Sequence, residues 1–345
     1  MKSVASIPTL TVRTEFRPEH DIAAIAALHD TLYRREYAFG GDLFTHYVEE
    51  GLQSFARDYD PDKDRVWLCE SEGQLVGSLV LANRGETAQL RYFLIHPSCR
   101  GLGLGKRLLS EFMQCLSDRG YRSCYLLTVK GLAEAAHLYQ KLGFRVTEET
   151  ASESFGVSLI EQRYDLELPY IRPAHPSDAP PLRDLMEQTF ADTYAQFNTP
   201  ENMQHYVASH FGLAQVEAEL QDDKIQYLIM SFQGRLIGFA KLNKDRIAEG
   251  LEGQKAAEIE RIYVTKAQQG QKLGAKLMHA CLSWAQNAGY NLIWLGVWDQ
   301  NHNALAFYDK MGFQRFGNHV FILGDDVQND YLMKRELNEY SLVAF

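Results

Sequence analysis

The chain has 345 residues, a length typical of two domains. Its composition, with 46% hydrophobic and 23% charged residues, excludes collagen, mucin-like and wholly disordered proteins. No run of about 18 apolar residues occurs, so we expect no membrane-spanning helix, and the first residues lack the apolar core of a signal peptide.

The formal net charge of −10 argues against partners that need basic patches, which are nucleic acids and anionic membranes. It is compatible with a small cationic substrate. The five cysteines are scattered and form no C-x-x-C pair, which disfavours a zinc site or a disulfide framework. We therefore expect a cytoplasmic protein without a metal, and the sequence leaves a homo-oligomer open.

The predicted elements follow one order twice along the chain. In the first half they are a helix over 22–32, paired strands over 66–69 and 75–81, a strand over 88–95, a helix over 104–116, a strand over 125–128 and a helix over 133–142. In the second half they are a helix over 181–190, strands over 257–264 and 292–297, and helices over 273–288 and 304–311. This order predicts an α/β fold with a mixed sheet in each half.

Two motifs recur at a fixed separation of 169 residues. The segment 100–109 resembles 269–278, and the residues around Tyr139 resemble those around Tyr308. One separation shared by two distant motifs indicates a duplication. We predict two copies of one domain, over 1–168 and 169–345.

A strand, a glycine-rich turn and a helix follow one another in each copy. Free N–H groups at such a helix start attract anions, and glycines permit a close approach. The spacing Gly101-x-Gly103-x-Gly105 differs from the dinucleotide fingerprint, and Arg107 stands where a phosphate-binding P-loop has Ser or Thr. The basic residues around this turn favour pyrophosphate over a bare structural turn.

The pattern Gln/Arg-x-x-Gly-x-Gly/Ala, then a strand and a helix ending Tyr-x-x-x-Gly-Phe, resembles the GCN5-related N-acetyltransferases, the GNAT family. The resemblance implies two tandem domains, each with a mixed, partly splayed sheet flanked by helices. It also implies acetyl-CoA as the co-substrate, with its pyrophosphate on the turn and its pantetheine arm between parted strands. The first half resembles the acetyltransferase domain fused to MarR-type regulators, and the second resembles PaiA-type polyamine and small-amine acetyltransferases.

The resemblance assigns two sets of residues to acetyl-CoA. In the first copy they are Phe93, Leu94, Ile95, Arg100, Gly101, Leu102, Gly103, Leu104, Gly105 and Lys106. In the second copy they are Ile262, Tyr263, Val264, Gln269, Gly270, Gln271, Lys272, Leu273, Gly274, Ala275 and Asn301. Asn301 has a second interpretation, as a turn or helix-cap residue.

Four residues are predicted to be catalytic. Tyr308 and Tyr139 match the family's tyrosine near the CoA sulfur, where a phenol acts as general acid, although each also suits a packing role. Glu258 and Glu260 lie two apart on one strand and so share a face, where either suits a base acting through water. Their alternative is a solvated strand or an ion pair with Arg261.

The two copies differ in what they keep. Lys272 replaces a motif glycine in the second copy. The first copy has no carboxylate over 88–95, and it has Leu132 at the position equivalent to Asn301. We therefore expect transfer of the acetyl group to a small-molecule primary amine, polyamine-like or an amino acid, with catalysis in the second copy. The alternatives are a first domain that binds acyl-CoA or serves as a scaffold without catalysis, and a protein amine as acceptor.

Acidic residues beyond the second sheet are compatible with either a polyamine contact or a solvated loop. They are Asp299, Asp325, Asp326 and Asp330. For His319 we expect a structural hydrogen bond rather than a catalytic role.

Overall fold

The computed structural model describes residues 10–37, 40–323 and 326–337, apart from the side chains of 321–328. The chain divides into two compact units, Met1–Leu168 and Pro169–Phe345. Among the described helices, none is both long and apolar enough to cross a membrane.

Unit 1 is a seven-stranded sheet with helices. Its strands are β1 (Leu10–Arg13), β2 (Arg65–Ser71), β3 (Gln74–Arg84), β4 (Thr87–Ile95), β5 (Ser123–Val129), β6 (Arg145–Ser152) and β7 (Leu159–Glu167). Its helices are α1 (Pro18–Tyr37), α2 (Asp42–Arg57), α3 (Leu104–Asp118) and α4 (Ala133–Lys141). The strand order is β1-β2-β3-β4-β5-β7-β6, and among these described strands β4 and β5 form the parallel pair.

Unit 2 repeats this architecture. Its helices are α5 (Ala179–Tyr194), α6 (Pro200–His210), α7 (Leu213–Glu219), α8 (Leu273–Asn287) and α9 (His302–Lys310). Its strands are β8 (Tyr170–Pro173), β9 (Ile225–Phe232), β10 (Arg235–Asn243), β11 (Ala256–Val264), β12 (Leu292–Trp298), β13 (Gln314–Leu323) and β14 (Asp326–Glu336). The order β13-β14-β12-β11-β10-β9-β8 is the order of unit 1, with β11 and β12 as the parallel pair.

Alternation along β11 separates two sides of the second sheet. Ala257 and Ile259 pack with Leu277 and other apolar residues of α8, in a core that also contains Tyr308. The intervening Glu258 and Glu260 therefore point to the opposite side. That side faces α5, α6 and α7, whose apolar residues pack on Phe239 and other residues of the sheet.

Each sheet opens between its two parallel strands. β11 and β12 are paired only from Ala256 and Leu292 to Glu258 and Trp294, and β4 and β5 part after Leu90 and Leu126. The antiparallel pairing on the other side of each opening is also irregular. The register of β10 with β11 shifts between Lys241 and Leu242, and that of β3 with β4 shifts between Ser78 and Val80. A bulge bends its strand locally, so both sheets are splayed as the sequence predicts.

Candidate active site

The opening in the second sheet is part of a large cleft. The cleft has a volume of about 1430 Å³ and is lined by the end of α5, β11, the glycine turn, β12, the start of α9, and β14. Tyr308 and the glycine turn approach it from α9 and α8, whereas Glu258 belongs to the α5 side of the sheet. The cleft thus gives two molecules access to one gap from opposite faces.

The glycine turn presents unpaired amides to this cleft. The first backbone bond of α8 runs from the Lys276 N–H to the Lys272 carbonyl at 3.1 Å, and no side chain caps the helix start. The amides of residues 272–275 precede that bond and have no partner within the helix. Together with the positive end of the helix dipole, they suit the diphosphate of a nucleotide.

Unit 1 builds the same turn from a different residue type. Its helix ladder begins with the Arg107 N–H bonded to the Gly103 carbonyl at 3.0 Å, again without a side-chain cap. Gly103 adopts a φ of 80° and Lys272, at the equivalent position, a φ of 60°. Lys272 therefore keeps the left-handed backbone of the motif glycine, at a conformational cost of about 1–2 kcal/mol for a residue with a side chain.

The first residue of each turn fastens the turn to the strand before it. The Gln269 amide donates to the Val264 carbonyl at 3.2 Å, and the Arg100 Nε donates to the Ile95 carbonyl at 2.9 Å. Arg100 also forms an ion pair with Glu36 at 2.9 Å. These side chains shape the anion site by holding its backbone in place.

Tyr308 lies buried against aromatic neighbours. Its ring is 5.4 Å from Phe307 and 5.8 Å from Phe313, and burial raises its pKa far above the ordinary value. Tyr139 has equivalent surroundings, with Tyr164 at 5.9 Å and a pKa raised by burial. Both phenols therefore keep their protons at neutral pH, which a general acid requires.

One asparagine holds both predicted carboxylates. The Nδ2 of Asn243 donates to Glu258 at 2.7 Å and to Glu260 at 2.8 Å, so the two carboxylates lie side by side as their spacing predicts. Glu260 also pairs with Lys241 at 3.1 Å and with Arg261 at 3.3 Å. The ion pair with Arg261, which is the alternative to a base, is present for Glu260, and that residue belongs to a buried charge network.

The two carboxylates have opposite pKa shifts. Burial raises the pKa of Glu258, and the Asn243 hydrogen bond and the Arg246 charge only partly oppose it. Burial also disfavours a charged Glu260, but the charges of Arg261 and Lys241 outweigh it and lower its pKa. Glu258 is therefore the more basic of the two carboxylates and the one better suited to take a proton.

A tyrosine pair that sequence reasoning missed stands on the α5 side of the opening. Tyr194, at the end of α5, forms a hydrogen bond with Tyr263 of β11, and its ring is 6.4 Å from Trp298 of β12. The Tyr263 hydroxyl and burial raise the pKa of Tyr194. Tyr194 therefore spans both edges of the opening.

The remaining predicted residues have mixed outcomes. The Oδ1 of Asn301 accepts from the Ala304 N–H at 3.2 Å, so its side chain caps α9 at the edge of the cleft. His319 and Asp330 line the cleft, whereas Asp325 and the side chain of Asp326 lie outside the described residues. Burial raises the pKa of Asp330 to about 6, and Asp299 adds to that rise against the effect of His319.

Two family models match the chain. Residues 183–313 match the acetyltransferase (GNAT) family, and residues 62–146 match an acetyltransferase (GNAT) domain. An uncharacterized N-acetyltransferase of Lactobacillus delbrueckii is 33% identical over 160 residues, which are 46% of this chain and 92% of that protein.

The chain belongs to the GNAT acetyltransferase family.

Two more GNAT comparisons extend this result. A mycothiol acetyltransferase of Thermobispora bispora is 26% identical over 226 residues, 65% of this chain and 72% of that protein. The PaiA N-acetyltransferase of Thermoplasma acidophilum, solved in complex with coenzyme A, covers 49% of this chain and 99% of its own at 22% identity and a TM-score of 0.42.

The family assignment tests several of the predictions made from the sequence. The tandem α/β architecture and an acetyl-CoA-dependent N-acetyltransferase are confirmed. The acceptor and the individual site residues stay predictions.

Proposed function

We propose that unit 2 transfers the acetyl group of acetyl-CoA directly to a primary amine of a small molecule. The observation that carries this proposal is the cleft itself, which joins uncapped helix-start amides, a protonated Tyr308 and a carboxylate with a raised pKa in one gap. These are the groups that acyl transfer to an amine requires.

The residues of the second glycine turn suit the co-substrate. The amides of 272–275 would hold the diphosphate, the side chain of Lys272 adds a positive charge there, and the parted edge of β11 offers backbone groups to the pantetheine arm. When bound, acetyl-CoA supplies an activated acetyl group as a thioester. The predicted set Ile262, Tyr263 and Val264 lies on that parted edge.

Proton movements are assigned to two side chains. The carboxylate of Glu258 takes a proton from the acceptor ammonium through water, which frees the nitrogen lone pair for attack. A backbone N–H of β11 past the opening stabilises negative charge on the acyl oxygen. After attack the nitrogen carries one proton in excess, and this proton passes to solvent as the adduct collapses to the amide. The Tyr308 hydroxyl gives its proton to the departing sulfur, and it regains a proton through solvent from the acid form of Glu258.

The acceptor is a small amine, polyamine-like or an amino acid. The cleft combines Glu258 and Asp330 with aromatic side chains, which suits a cation of modest size. We identify no feature among the described residues that favours a protein amine.

A second candidate function concerns unit 1. Its glycine turn is built like that of unit 2, yet Gln89 stands at the position of Glu258 and Arg91 at that of Glu260. A turn that holds a diphosphate beside a gap without a base fits an acyl-CoA-binding domain that does not catalyse transfer. Glu161 of β7 pairs with Val129 as Asp330 pairs with Trp298, so unit 1 keeps an acidic residue at that position.

The experiment is an acceptor panel on the full-length chain. Polyamines, amino acids, aminoglycosides and arylamines are assayed for thiol release from acetyl-CoA. We expect thiol release with at least one aliphatic amine. Release with none of these amines, but with a lysine-containing peptide, would contradict the small-molecule acceptor.

Calorimetry with acetyl-CoA separates the roles of the two units. A binding role for unit 1 is supported if the chain binds two molecules of acetyl-CoA, and if the Glu258→Gln variant still binds both but no longer catalyses transfer. A single site per chain leaves unit 1 with a structural role.

A further inference from the structure

Three aromatic side chains cross the α5 side of the opening in unit 2, and we call them the aromatic bridge. They are Tyr194, Phe197 and Trp298. The Phe197 ring lies 5.0 Å from the Trp298 ring at a steep angle, and the Tyr194 ring lies 6.4 Å from it. All three line the cleft, and Phe197 is 54% exposed. The bridge therefore offers ring surfaces to a molecule that arrives from this side.

A carboxylate stands beside the aromatic bridge. Asp330 of β14 is directly opposite Trp298 of β12, so the two side chains share one face of the sheet. Its charge is close enough to affect both Tyr194 and Tyr263. Within the described part of the chain, the Asp330 carboxylate accepts no hydrogen bond and forms no ion pair. A half-buried carboxylate in this state has oxygen lone pairs and a negative charge available to a cation.

The backbone leaves the cleft side of this carboxylate open. Gly296 precedes Trp298 by two residues and lies on the same face, and an added Cβ there would sit 3.6 Å from the Asp330 Oδ2. The equivalent residue of unit 1 is Leu127, which is 50% exposed, and the equivalent of Trp298 is Val129. A glycine in this place keeps a side chain from covering Asp330.

We propose that Asp330 and the aromatic bridge form a cage that docks an alkylammonium group of the acceptor. The inference rests on the proposed function of unit 2 and adds the residues that select for charge. Aliphatic amines carry a proton at neutral pH, so they reach the cleft as cations. Ring faces and a carboxylate attract a cation together, whereas a neutral amine or alcohol gains little from either.

The cage is tested with a cation that cannot be acetylated on nitrogen. Choline and its neutral isostere 3,3-dimethylbutan-1-ol are titrated into the full-length chain by calorimetry, without acetyl-CoA. We expect choline to bind at least tenfold more tightly than the alcohol. Equal binding of the two, or no choline binding, would overturn the cage.

Substitutions assign that binding to the cage. Asp330→Asn and Trp298→Leu should each weaken choline binding at least tenfold, whereas Asp299→Asn, which removes the same charge outside the lining of the cleft, should change it less than twofold. Each variant must bind as many molecules of acetyl-CoA per chain as the native protein, which shows that unit 2 as well as unit 1 is folded. An Asp330→Asn variant that binds choline like the native chain contradicts the proposal, and Trp298→Leu supplies a second test if Asp330→Asn does not fold.

Turnover separates the cage from the proposed function. With an accepted aliphatic amine, Asp330→Asn should raise KM at least tenfold and change kcat less than threefold. If the chain acetylates amines but does not bind choline, only the cage is refuted. If it binds choline in the predicted manner but acetylates no amine, the cage stands and the proposed function fails.

Discussion

The two sheets of this GNAT protein share one scaffold and differ in the side chains around their openings. Strand order, the point where the parallel strands part and the uncapped helix start agree between unit 1 and unit 2. The side chains diverge position by position. The pairs, with unit 1 first, are Ala82 and Asn243, Gln89 and Glu258, Arg91 and Glu260, Leu94 and Tyr263, Leu127 and Gly296, and Leu132 and Asn301.

This contrast shows which parts of the site belong to the backbone. A diphosphate is held by amides, which any sequence supplies once the turn is formed, so the anion site tolerates the change from Gly103 to Lys272. Proton transfer needs particular side chains, and under the proposed mechanism unit 1 lacks the base because Gln89 stands where unit 2 has Glu258. We therefore propose that binding of acetyl-CoA is shared by the two units and that catalysis belongs to unit 2.

The largest expected effect comes from the base. Glu258→Gln should lower kcat/KM about 100-fold, because the amide that replaces the carboxylate cannot take the ammonium proton. The measurement is thiol release at saturating acetyl-CoA. Gln89→Met is the control in unit 1 and should leave turnover unchanged. A Glu258→Gln variant within threefold of the native rate would remove this carboxylate from the mechanism.

The tyrosines give the next contrast. Tyr308→Phe should lower kcat at least tenfold, since the leaving sulfur loses its proton donor, while Tyr139→Phe should have no effect on turnover. Both phenols are buried, so the two substitutions carry similar packing changes. The two variants are compared in the same thiol-release assay. Equal losses in both would show that the units contribute equally to catalysis.

Asn243 has an effect that depends on pH. Its hydrogen bond lowers the pKa of Glu258, so Asn243→Ala should raise that pKa further while Arg246 and Lys241 still act on the carboxylate. The base works only when it is deprotonated, so the acid limb of the kcat/KM profile should move to higher pH, with a larger loss of activity on that limb than at pH 8. The control is Asn318→Ala, which changes a cleft residue away from the carboxylates. An unmoved acid limb in Asn243→Ala would contradict the assignment.

Substitutions in the two glycine turns should have the smallest effects on stability and acetyl-CoA binding. Gly103→Ala should lower the free energy of unfolding by about 1 kcal/mol, because φ is 80° and no atom lies near the added Cβ. Lys272→Gly should leave stability equal or slightly higher, yet weaken acetyl-CoA binding about threefold through loss of the ammonium. Urea unfolding and calorimetry measure the two quantities. If Lys272→Gly binds acetyl-CoA more tightly, the lysine does not contact phosphate.

Local patterns predicted most of the scaffold. The glycine turns, α3, α8 and the strands before them are written in short segments whose spacing alone indicates the structure. The edge strands β1 and β8 have four residues each, too few for a clear alternation, and α2, α6 and α7 were not predicted. Their apolar positions are interpretable only once the sheet that they cover is known.

The site was predicted only where its residues lie close in sequence. Glu258 and Glu260 were found because they are two residues apart, and the turns because they form one motif. The Tyr194–Tyr263 bond joins residues far apart in the chain, and Asn243 reaches the carboxylates from a neighbouring strand. Asp330 is one of the four acidic residues that the sequence places beyond the second sheet, and its position beside Trp298 depends on the register of β14.

The most direct test of the account is the structure of the full-length chain crystallised with coenzyme A. We predict the diphosphate against the amides that begin α8, with the pantetheine arm between the parted ends of β11 and β12 and the sulfur beside Tyr308. We also predict a second molecule at the start of α3. Coenzyme A bound elsewhere, with the opening of unit 2 filled by its own side chains, would contradict the central claim.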